Sequence, residues 1–296
     1  MTLDSPALER VLITGGAGAL GSDLGELLYG SGEVSALPRE RLDITDERAV
    51  ERALAELRPR LVFNCAAFHA VDNCESEEAR AFAVNAVAVK RLAERCAAAD
   101  ARLVHLSTNY VFDGRRPEPY GEDDLPAPQS AYAASKLAGE QLALAYAPGA
   151  LVVRTAGLYG LRGSAVKGGN FVQRVLARAR KEGRLTMVAD QRLSPTFTAD
   201  LAAALVEAVE AGAEGILHLT AGGDCSWLEF TNTMLQLAGL EVPVEPAETV
   251  PRPGLAPRPL NGVLARPRAD AHGLRPLRPW PEGLRDYMER AGLMAA

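Results

Sequence analysis

The feature that most constrains this chain is a regular alternation of short apolar runs and helical patterns over its first 155 residues. Runs rich in β-branched residues predict strands, and the longer patterned stretches between them predict helices. The predicted strands are 11–14, 33–37, 61–65, 102–107 and 151–153, and the predicted helices are 18–29, 46–57, 75–99 and 131–146. Such alternation predicts right-handed crossovers and therefore an α/β fold, a Rossmann-like doubly wound parallel sheet.

The alternation loosens after residue 155, where glycine and proline become frequent. Prolines between residues 243 and 281 forbid long helices there. Helical patterns continue at 170–181, 198–211, 227–238 and 281–291. We therefore predict a dinucleotide-binding domain at 1–155 and a smaller C-terminal substrate-binding lobe at 156–296. A segment near 196–220 is predicted to return to the first domain.

Composition argues against several classes of function. The net charge of −6 disfavours binding to a nucleic-acid backbone. The four cysteines have neither the spacing of a metal site nor that of a disulfide framework, so we expect no metal and a reducing compartment. No signal-peptide pattern opens the chain, and no apolar stretch approaches the roughly 20 residues that cross a bilayer. We expect a soluble, cytoplasmic protein.

A glycine-rich segment, TGGAGALG, lies directly between the first predicted strand and the first predicted helix. Gly15 permits the tight turn, Gly18 lets a pyrophosphate approach the backbone, and Gly21 lets the helix pack close to the sheet. Ala19 and Leu20 belong to the helix N-terminus, whose free N–H groups and dipole attract phosphate. The spacing predicts a dinucleotide loop, and a glycine-rich turn without a ligand is the alternative.

The choice of cofactor depends on the residues about 20 positions past this loop, where an acid that binds the adenosine ribose is expected. Pro38 occupies that position and offers no acceptor. Arg39 or Arg41 could bind a 2′-phosphate, while Glu40 could still bind the ribose of NAD. The segment favours NADPH as the cofactor and leaves NADH open.

Tyr132 and Lys136 are four residues apart and therefore share one face of a predicted helix. Hydride transfer to a ketone leaves an oxyanion that must be protonated. A free tyrosine, with a pKa of about 10, needs a nearby cation to serve as that acid. Lysine one turn away supplies the cation and can reach the nicotinamide ribose. Thr108, at the end of the fourth strand, can hydrogen-bond and polarise the carbonyl. The three residues predict a carbonyl reductase.

These motifs resemble the dTDP-4-dehydrorhamnose reductase family of extended short-chain dehydrogenases. The sequence STNYVFDG at 107–114 is close to that family's STDYVFDG signature. The likeness covers nearly the whole chain, and further matching segments are 42–46, 66–72, 132–136, 170–172, 190–191 with 195–196, and 225–230. The resemblance implies reduction of the 4-keto group of a nucleotide-linked deoxysugar.

The resemblance also implies roles for single residues. Tyr132 would be the proton donor, Lys136 its activator and ribose ligand, and Thr108 the carbonyl ligand. The residues implied to line the path of the cofactor are Asp43, Ile44, Ala66 and Ala67. The residues implied to lie beside the sugar are Val71 and Tyr110.

Two positions depart from the family pattern, and we include both among the predicted substrate-binding residues. Asn109 replaces the aspartate of the signature, which removes a negative charge beside the carbonyl site. Gly157 stands where the family usually has an aromatic ring, commonly tryptophan. Loss of a ring that packs on the sugar predicts a more open pocket and a related 4-keto deoxysugar as the substrate.

Other interpretations stay open. A sugar-nucleotide 4-epimerase on the same fold would hold its cofactor tightly. A non-catalytic subunit, resembling the regulatory subunit of methionine adenosyltransferase, would bind NADP without turnover. His69 and His105 are interpreted as structural histidines, and Arg154 and Arg192 could bind a diphosphate or form salt bridges. The oligomeric state is open, with a homodimer among the candidates.

Overall fold

The computed structural model describes residues 6–162 and 169–295. Its strands are β1 (Arg10–Thr14), β2 (Glu33–Leu37), β3 (Leu61–Asn64), β4 (Arg102–Thr108), β5 (Leu151–Thr155), β6 (Leu185–Val188), β7 (Arg192–Leu193), β8 (Gly215–His218), β9 (Cys225–Ser226) and β10 (Val244–Ala247). Six of them form a wholly parallel sheet in the order β2-β1-β3-β4-β5-β8. The predicted α/β fold is confirmed. Because strand addition reverses between β1 and β3, the ligand crevice of such a sheet opens at the carboxyl ends of these two strands.

The helices lie on both faces of this sheet and in the second half of the chain. They are α1 (Ala19–Leu27), α2 (Glu47–Leu57), α3 (Val71–Ser76), α4 (Glu78–Phe82), α5 (Ala88–Ala98), α6 (Ala131–Tyr146), α7 (Phe171–Glu182), α8 (Thr198–Glu210), α9 (Trp227–Leu237), α10 (Pro267–Ala271) and α11 (Trp280–Arg290). Within the described part of the chain, none of them is long and apolar enough to cross a bilayer.

The predicted helix over 75–99 is confirmed for most of its length, but it begins later, at Glu78, and contains a π-helical turn. The chain forms α3 as a separate short helix, and the π-helical turn at Ala83–Val87 joins α4 to α5. The turn buries Asn85, whose side chain accepts the Phe68 N–H at 2.8 Å and donates to the Ser135 hydroxyl at 3.0 Å. A π-turn re-aims the side chains it carries, and here it directs a buried amide at the loop after β3.

The core follows the alternation of the strands. In β1, Val11 and Ile13 pack in one cluster with residues of α1 and α8, while Leu12 packs on the opposite face with residues of α2 and α5. A second-half cluster around Phe230 and Tyr287 is built by α7, α9, α11 and β6. Burial on both faces of a parallel sheet explains why its inner strands β1, β3 and β5 are mostly apolar runs.

Two small sheets of the second half were not predicted. β6 pairs in parallel with β10, and β7 pairs antiparallel with β9. α8 packs on α1, and β8 adds to the edge of the main sheet beside β5. This part of the second half therefore lies with the first sheet, and the division into domains at residue 155 stays a prediction.

Candidate active site

Close backbone contacts shape the glycine-rich turn after β1. Gly15 has a φ of +66°, and a Cβ there would lie 2.9 Å from the Ala66 nitrogen. A Cβ on Gly21 would lie 2.5 Å from the Gly15 carbonyl oxygen, so both positions need glycine. Gly18 is exposed, and a Cβ there would meet only the Gly15 carbonyl oxygen, at 3.2 Å. Ala66 and the next residue, Ala67, are half-buried beside the turn.

This turn fits the phosphates of a dinucleotide. The helix α1 begins at Ala19, and no side chain among the described residues caps its N-terminus. The first N–H groups of the helix, including those of Leu20 and Gly21, have no partner inside the helix. Together with the helix dipole they attract an anion. The Leu20 side chain is 7% exposed and anchors the turn in the core.

The edge of the sheet beside the turn, just past the end of β2, carries a charged pair. The carbonyl of Leu37, at the end of β2, accepts an N–H of the glycine-rich turn at 2.9 Å. Two residues on, the exposed Arg39 pairs with Asp43 at 2.9 Å. Burial opposes the charge on Asp43, but hydrogen bonds from Thr45 and Arg39 lower its pKa overall. Ile44 is buried next to it. An exposed guanidinium at this edge suits a 2′-phosphate.

The predicted proton donor and carbonyl ligand meet at the carboxyl end of β4. The side chains of Tyr132 and Thr108 lie close enough here for Thr108 to lower the pKa of the phenol in part. The ring of Tyr110 packs edge-on against Tyr132 with ring centroids 5.8 Å apart. Burial raises the pKa of Tyr132, and the nearby Thr108 offsets only part of the rise. This direction is opposite to the lowering that we predicted from Lys136, so the phenol holds its proton at neutral pH.

Lys136 lies one turn further along α6 and is 3% exposed. Its Nζ donates to the Leu106 carbonyl at 2.6 Å and lies 3.4 Å from Nε2 of His105. Burial lowers the pKa of Lys136 to about 8, although the Glu140 carboxylate raises it in part. The structure therefore brings together all three predicted catalytic residues, with the lysine held by the backbone of β4.

Sequence reasoning missed the buried ion pair beside these residues. Glu140 follows Lys136 by one turn, and its Oε2 pairs with Nη2 of Arg154 at 2.7 Å. Both side chains are at most 1% exposed, and the Ser107 hydroxyl donates to the same carboxylate. Arg154 is thus unavailable to a diphosphate, and that interpretation is wrong; Arg192 forms surface ion pairs. The four-residue spacing beyond Lys136 was the signal that could have revealed Glu140.

The predicted sugar-side residues lie where α3 meets the second half of the chain. Val71 begins α3, and the next residue, Asp72, pairs with Arg258 at 2.9 Å. Asp72 also accepts the Ala256 N–H at 3.1 Å. Burial raises the pKa of Tyr110, with smaller influences from Arg258 and Asp72, so these groups lie close together.

Both departures from the family pattern have local structural reasons. Asn109 is buried, and its amide donates to the Gly262 carbonyl at 3.1 Å, a bond that an ionised carboxylate cannot make. Gly157 has a φ of +58°, and a Cβ there would lie 2.8 Å from Cδ1 of Leu193. A side chain in this backbone conformation is strained. The backbone alone therefore explains glycine at this position.

Known proteins resemble this chain over nearly its whole length. The family described as the RmlD substrate binding domain matches residues 9–292. The dTDP-4-dehydrorhamnose reductase of Mycolicibacterium smegmatis is 43% identical over 282 residues, which cover 94% of this chain and 84% of that protein. A probable dTDP-4,6-dihydroxy-2-methyloxan-3-one 4-ketoreductase of Streptomyces antibioticus is 42% identical over 285 residues, 94% of each chain.

A solved structure of the same kind contains a cofactor. The dTDP-4-dehydrorhamnose reductase of Bacillus anthracis in complex with NADP is 34% identical to this chain. The two folds superpose with a TM-score of 0.89, over 95% of this chain and 98% of that one.

Proposed function

We propose, since the chain belongs to the family of the RmlD substrate binding domain, that it is an NADPH-dependent oxidoreductase that reduces the 4-keto group of a nucleotide-linked deoxysugar. The observation that carries this proposal is the closeness of the Thr108 and Tyr132 side chains at the end of β4, with the buried Lys136 one helical turn further along α6. The relatives named above are a reductase and a probable 4-ketoreductase, and each aligns with 94% of this chain.

The chain's own residues would hold the cofactor along the carboxyl edge of the sheet. The first turn of α1, after Gly18, would bind the pyrophosphate, and Arg39 would bind the adenosine 2′-phosphate. Asp43 keeps Arg39 at this edge through their ion pair. Bound NADPH supplies the hydride. The relative solved with NADP supports this choice of cofactor.

The two hydroxyls of Thr108 and Tyr132 would bind the ketone oxygen together. As that oxygen gains negative charge, the Tyr132 phenol, which burial keeps protonated, donates its proton to it. Thr108 stabilises the developing charge through a hydrogen bond. The Lys136 ammonium, one turn away, favours the transient phenolate by its charge. The product is an alcohol, and the phenol is restored from solvent.

The sugar would lie between Val71, Tyr110 and the segment that carries Arg258. Two relatives of nearly equal identity are named for different deoxysugars, so overall likeness does not choose the substrate. We also propose a cytoplasmic location, which the four free cysteines support.

The test follows NADPH absorbance with dTDP-4-keto-6-deoxyhexoses, with and without a 3,5-epimerase. We expect consumption that depends on the ketosugar and falls by about 10²–10⁴-fold in Tyr132→Phe, since general acid catalysis contributes that much. Tyr29→Phe is the matched control, because Tyr29 is 89% exposed and lies beyond the C-terminal end of α1, opposite to the end that would bind the pyrophosphate. No consumption with any ketosugar, despite NADPH binding, would overturn the proposal in favour of a non-catalytic role.

A further inference from the structure

Four polar side chains form a continuous buried line across the carboxyl edge of the sheet, from β1 to α6. The Thr14 hydroxyl donates to Oδ1 of Asn64 at 2.7 Å. Nδ2 of Asn64 lies 3.0 Å from Nδ1 of His105, and Nε2 of His105 lies 3.4 Å from Nζ of Lys136. The first three are register partners on adjacent strands and are 0% exposed. We call these residues the Thr14–Lys136 line.

The order of donors along this line depends on the charge of Lys136. As described above, the Asn64 amide group donates to Nδ1, so a neutral imidazole carries its proton on Nε2. That N–H points at Nζ of Lys136, and only an uncharged amine has a lone pair to accept it. This first order therefore matches a neutral lysine, which still donates to the Leu106 carbonyl.

The opposite order matches a charged lysine. An ammonium has three donors and no acceptor, so Nε2 of His105 must accept and the imidazole proton moves to Nδ1. Asn64 then accepts from Nδ1–H through its oxygen and donates to the Thr14 hydroxyl through its nitrogen. The oxygen and the nitrogen of an amide are nearly equal in size, so the side chain of Asn64 fills the same space in both orientations. Every polar group has a partner in either order, as burial demands.

We propose that the Thr14–Lys136 line is a reversible hydrogen-bond chain in which His105 is a positioning residue: it reverses with the charge of Lys136 and sets the pH at which that charge changes. The inference deepens the proposed function, on which its catalytic meaning rests. His105, interpreted from the sequence as structural, thereby acts through Lys136 and touches neither cofactor nor substrate.

The other titratable groups around Lys136 cannot exchange donor and acceptor roles when the charge of Lys136 changes. Glu140, on the same helix, is bound by Arg154 and Ser107. Burial raises the pKa of Cys65, beyond the end of β3, to about 12, so it stays a thiol. Tyr132 keeps its proton, as described above. Burial and the neighbouring lysine hold the pKa of His105 well below its usual value, so it is a neutral partner.

The titration of Lys136 can be observed directly because the chain has only four lysines, at positions 90, 136, 167 and 181. Protein labelled with ¹³C at lysine Cε gives four resonances, and Lys136→Arg identifies the one at position 136. We expect its midpoint near pH 8 in the unmodified chain. The Lys90 resonance reports whether each variant is folded, because its ammonium lies 4.2 Å from the centroid of the Tyr146 ring.

Two variants should move this midpoint in opposite directions. His105→Phe removes the acceptor of the ammonium and should lower the midpoint by about one pH unit, since hydrogen bonds to charged groups are the strong ones. Asn64→Asp offers only acceptors, which fixes the proton on Nδ1 and should raise the midpoint. The double variant tests the route: if His105 transmits the effect, the rise caused by Asn64→Asp is lost in the presence of His105→Phe.

Equal Lys136 midpoints in all variants, or shifts of the same sign in both single variants, would overturn the proposal of a reversible hydrogen-bond chain. A rise that persists in the double variant would also overturn it, because a charge acting through space would then suffice. None of these readouts needs turnover. Opposite shifts of the midpoint without ketosugar reduction would support the hydrogen-bond chain and contradict the proposed function. Ketosugar reduction with unchanged midpoints would support the proposed function and contradict the hydrogen-bond chain.

Discussion

The two buried histidines of the main sheet show how the partners of a side chain, rather than its burial, decide what it can do. His105 on β4 and His218 on β8 are both at most 1% exposed. Burial lowers the pKa of both, that of His218 to about 4. Both are therefore neutral near pH 7, and their burial is the same.

Their partners differ. Nδ1 of His218 lies 2.8 Å from the Ala265 carbonyl, and Nε2 lies 3.5 Å from Nη1 of Arg154. A carbonyl only accepts and a guanidinium only donates, so the proton of His218 is fixed on Nδ1. The amide and the lysine beside His105 can each donate or accept. His218 is therefore locked in one tautomer by a charged cluster, whereas His105 can move its proton from one ring nitrogen to the other.

The largest expected effect on stability comes from breaking the buried Glu140–Arg154 ion pair, whose arginine also contacts His218. Glu140→Gln leaves the Arg154 charge buried without a counterion, which should lower the free energy of unfolding by about 3–5 kcal/mol. Urea denaturation measures it. Glu182→Gln, which breaks the exposed pair with Arg178, is the control and should cost less than about 1 kcal/mol. Equal small losses in both variants would mean that the buried pair does not hold this cluster together.

A smaller effect concerns the loss of folding stability in acid that is caused by His218. The folded pKa of His218 lies below its unfolded value, so the unfolded chain binds the extra proton and stability is lost as pH falls from about 6.5 toward 4. Between pH 7 and pH 5 this histidine should account for about 2 kcal/mol of lost stability. His218→Gln, which keeps one donor and one acceptor, should remove that part of the loss. An unchanged pH dependence in the variant would show that His218 protonates freely in the fold.

The smallest effect lies at the far end of the reversible line. Thr14→Val removes the hydroxyl that closes the line and leaves one group of Asn64 without a partner in either order. The free energy of unfolding should fall by about 1 kcal/mol. Thr186→Val is the control, because Thr186 is exposed on β6. If Thr14→Val is as stable as the control, Asn64 has another partner and the line does not extend to β1.

Most of the correct predictions came from patterns between residues that are close together in the sequence. The sheet, the glycine turn and the Tyr132–Lys136 pair all follow from residues within one or two turns of each other. The partners of His105 and of Arg154 do not, because the fold brings them together from other strands and from α6, at sequence separations of 14 to 64 residues. The strand β10 was missed because Pro246 argues against a strand, yet the pairing with β6 tolerates it at an edge.

The two departures from the family pattern show the same limit. From sequence, Asn109 and Gly157 were losses of a charge and of a ring at the sugar. In the fold, Asn109 bonds to a backbone carbonyl more than 150 residues away, and Gly157 adopts a backbone conformation that favours glycine. The sequence shows only that the family's usual residue is absent at each position. The fold shows which contacts and which backbone conformation suit the residue that is present.

Hydride transfer is the central claim, and deuterium tests it most directly. NADPH deuterated at C4 of the nicotinamide, in separate (4R) and (4S) forms, is incubated with the enzyme and a dTDP-4-keto-6-deoxyhexose, and the sugar is analysed by mass spectrometry. We predict that one of the two forms delivers a single deuterium to C4 of the sugar, while NADPH is consumed in equal amount. A sugar isomerised without label, as an epimerase would produce, or cofactor bound but not consumed, would contradict the account.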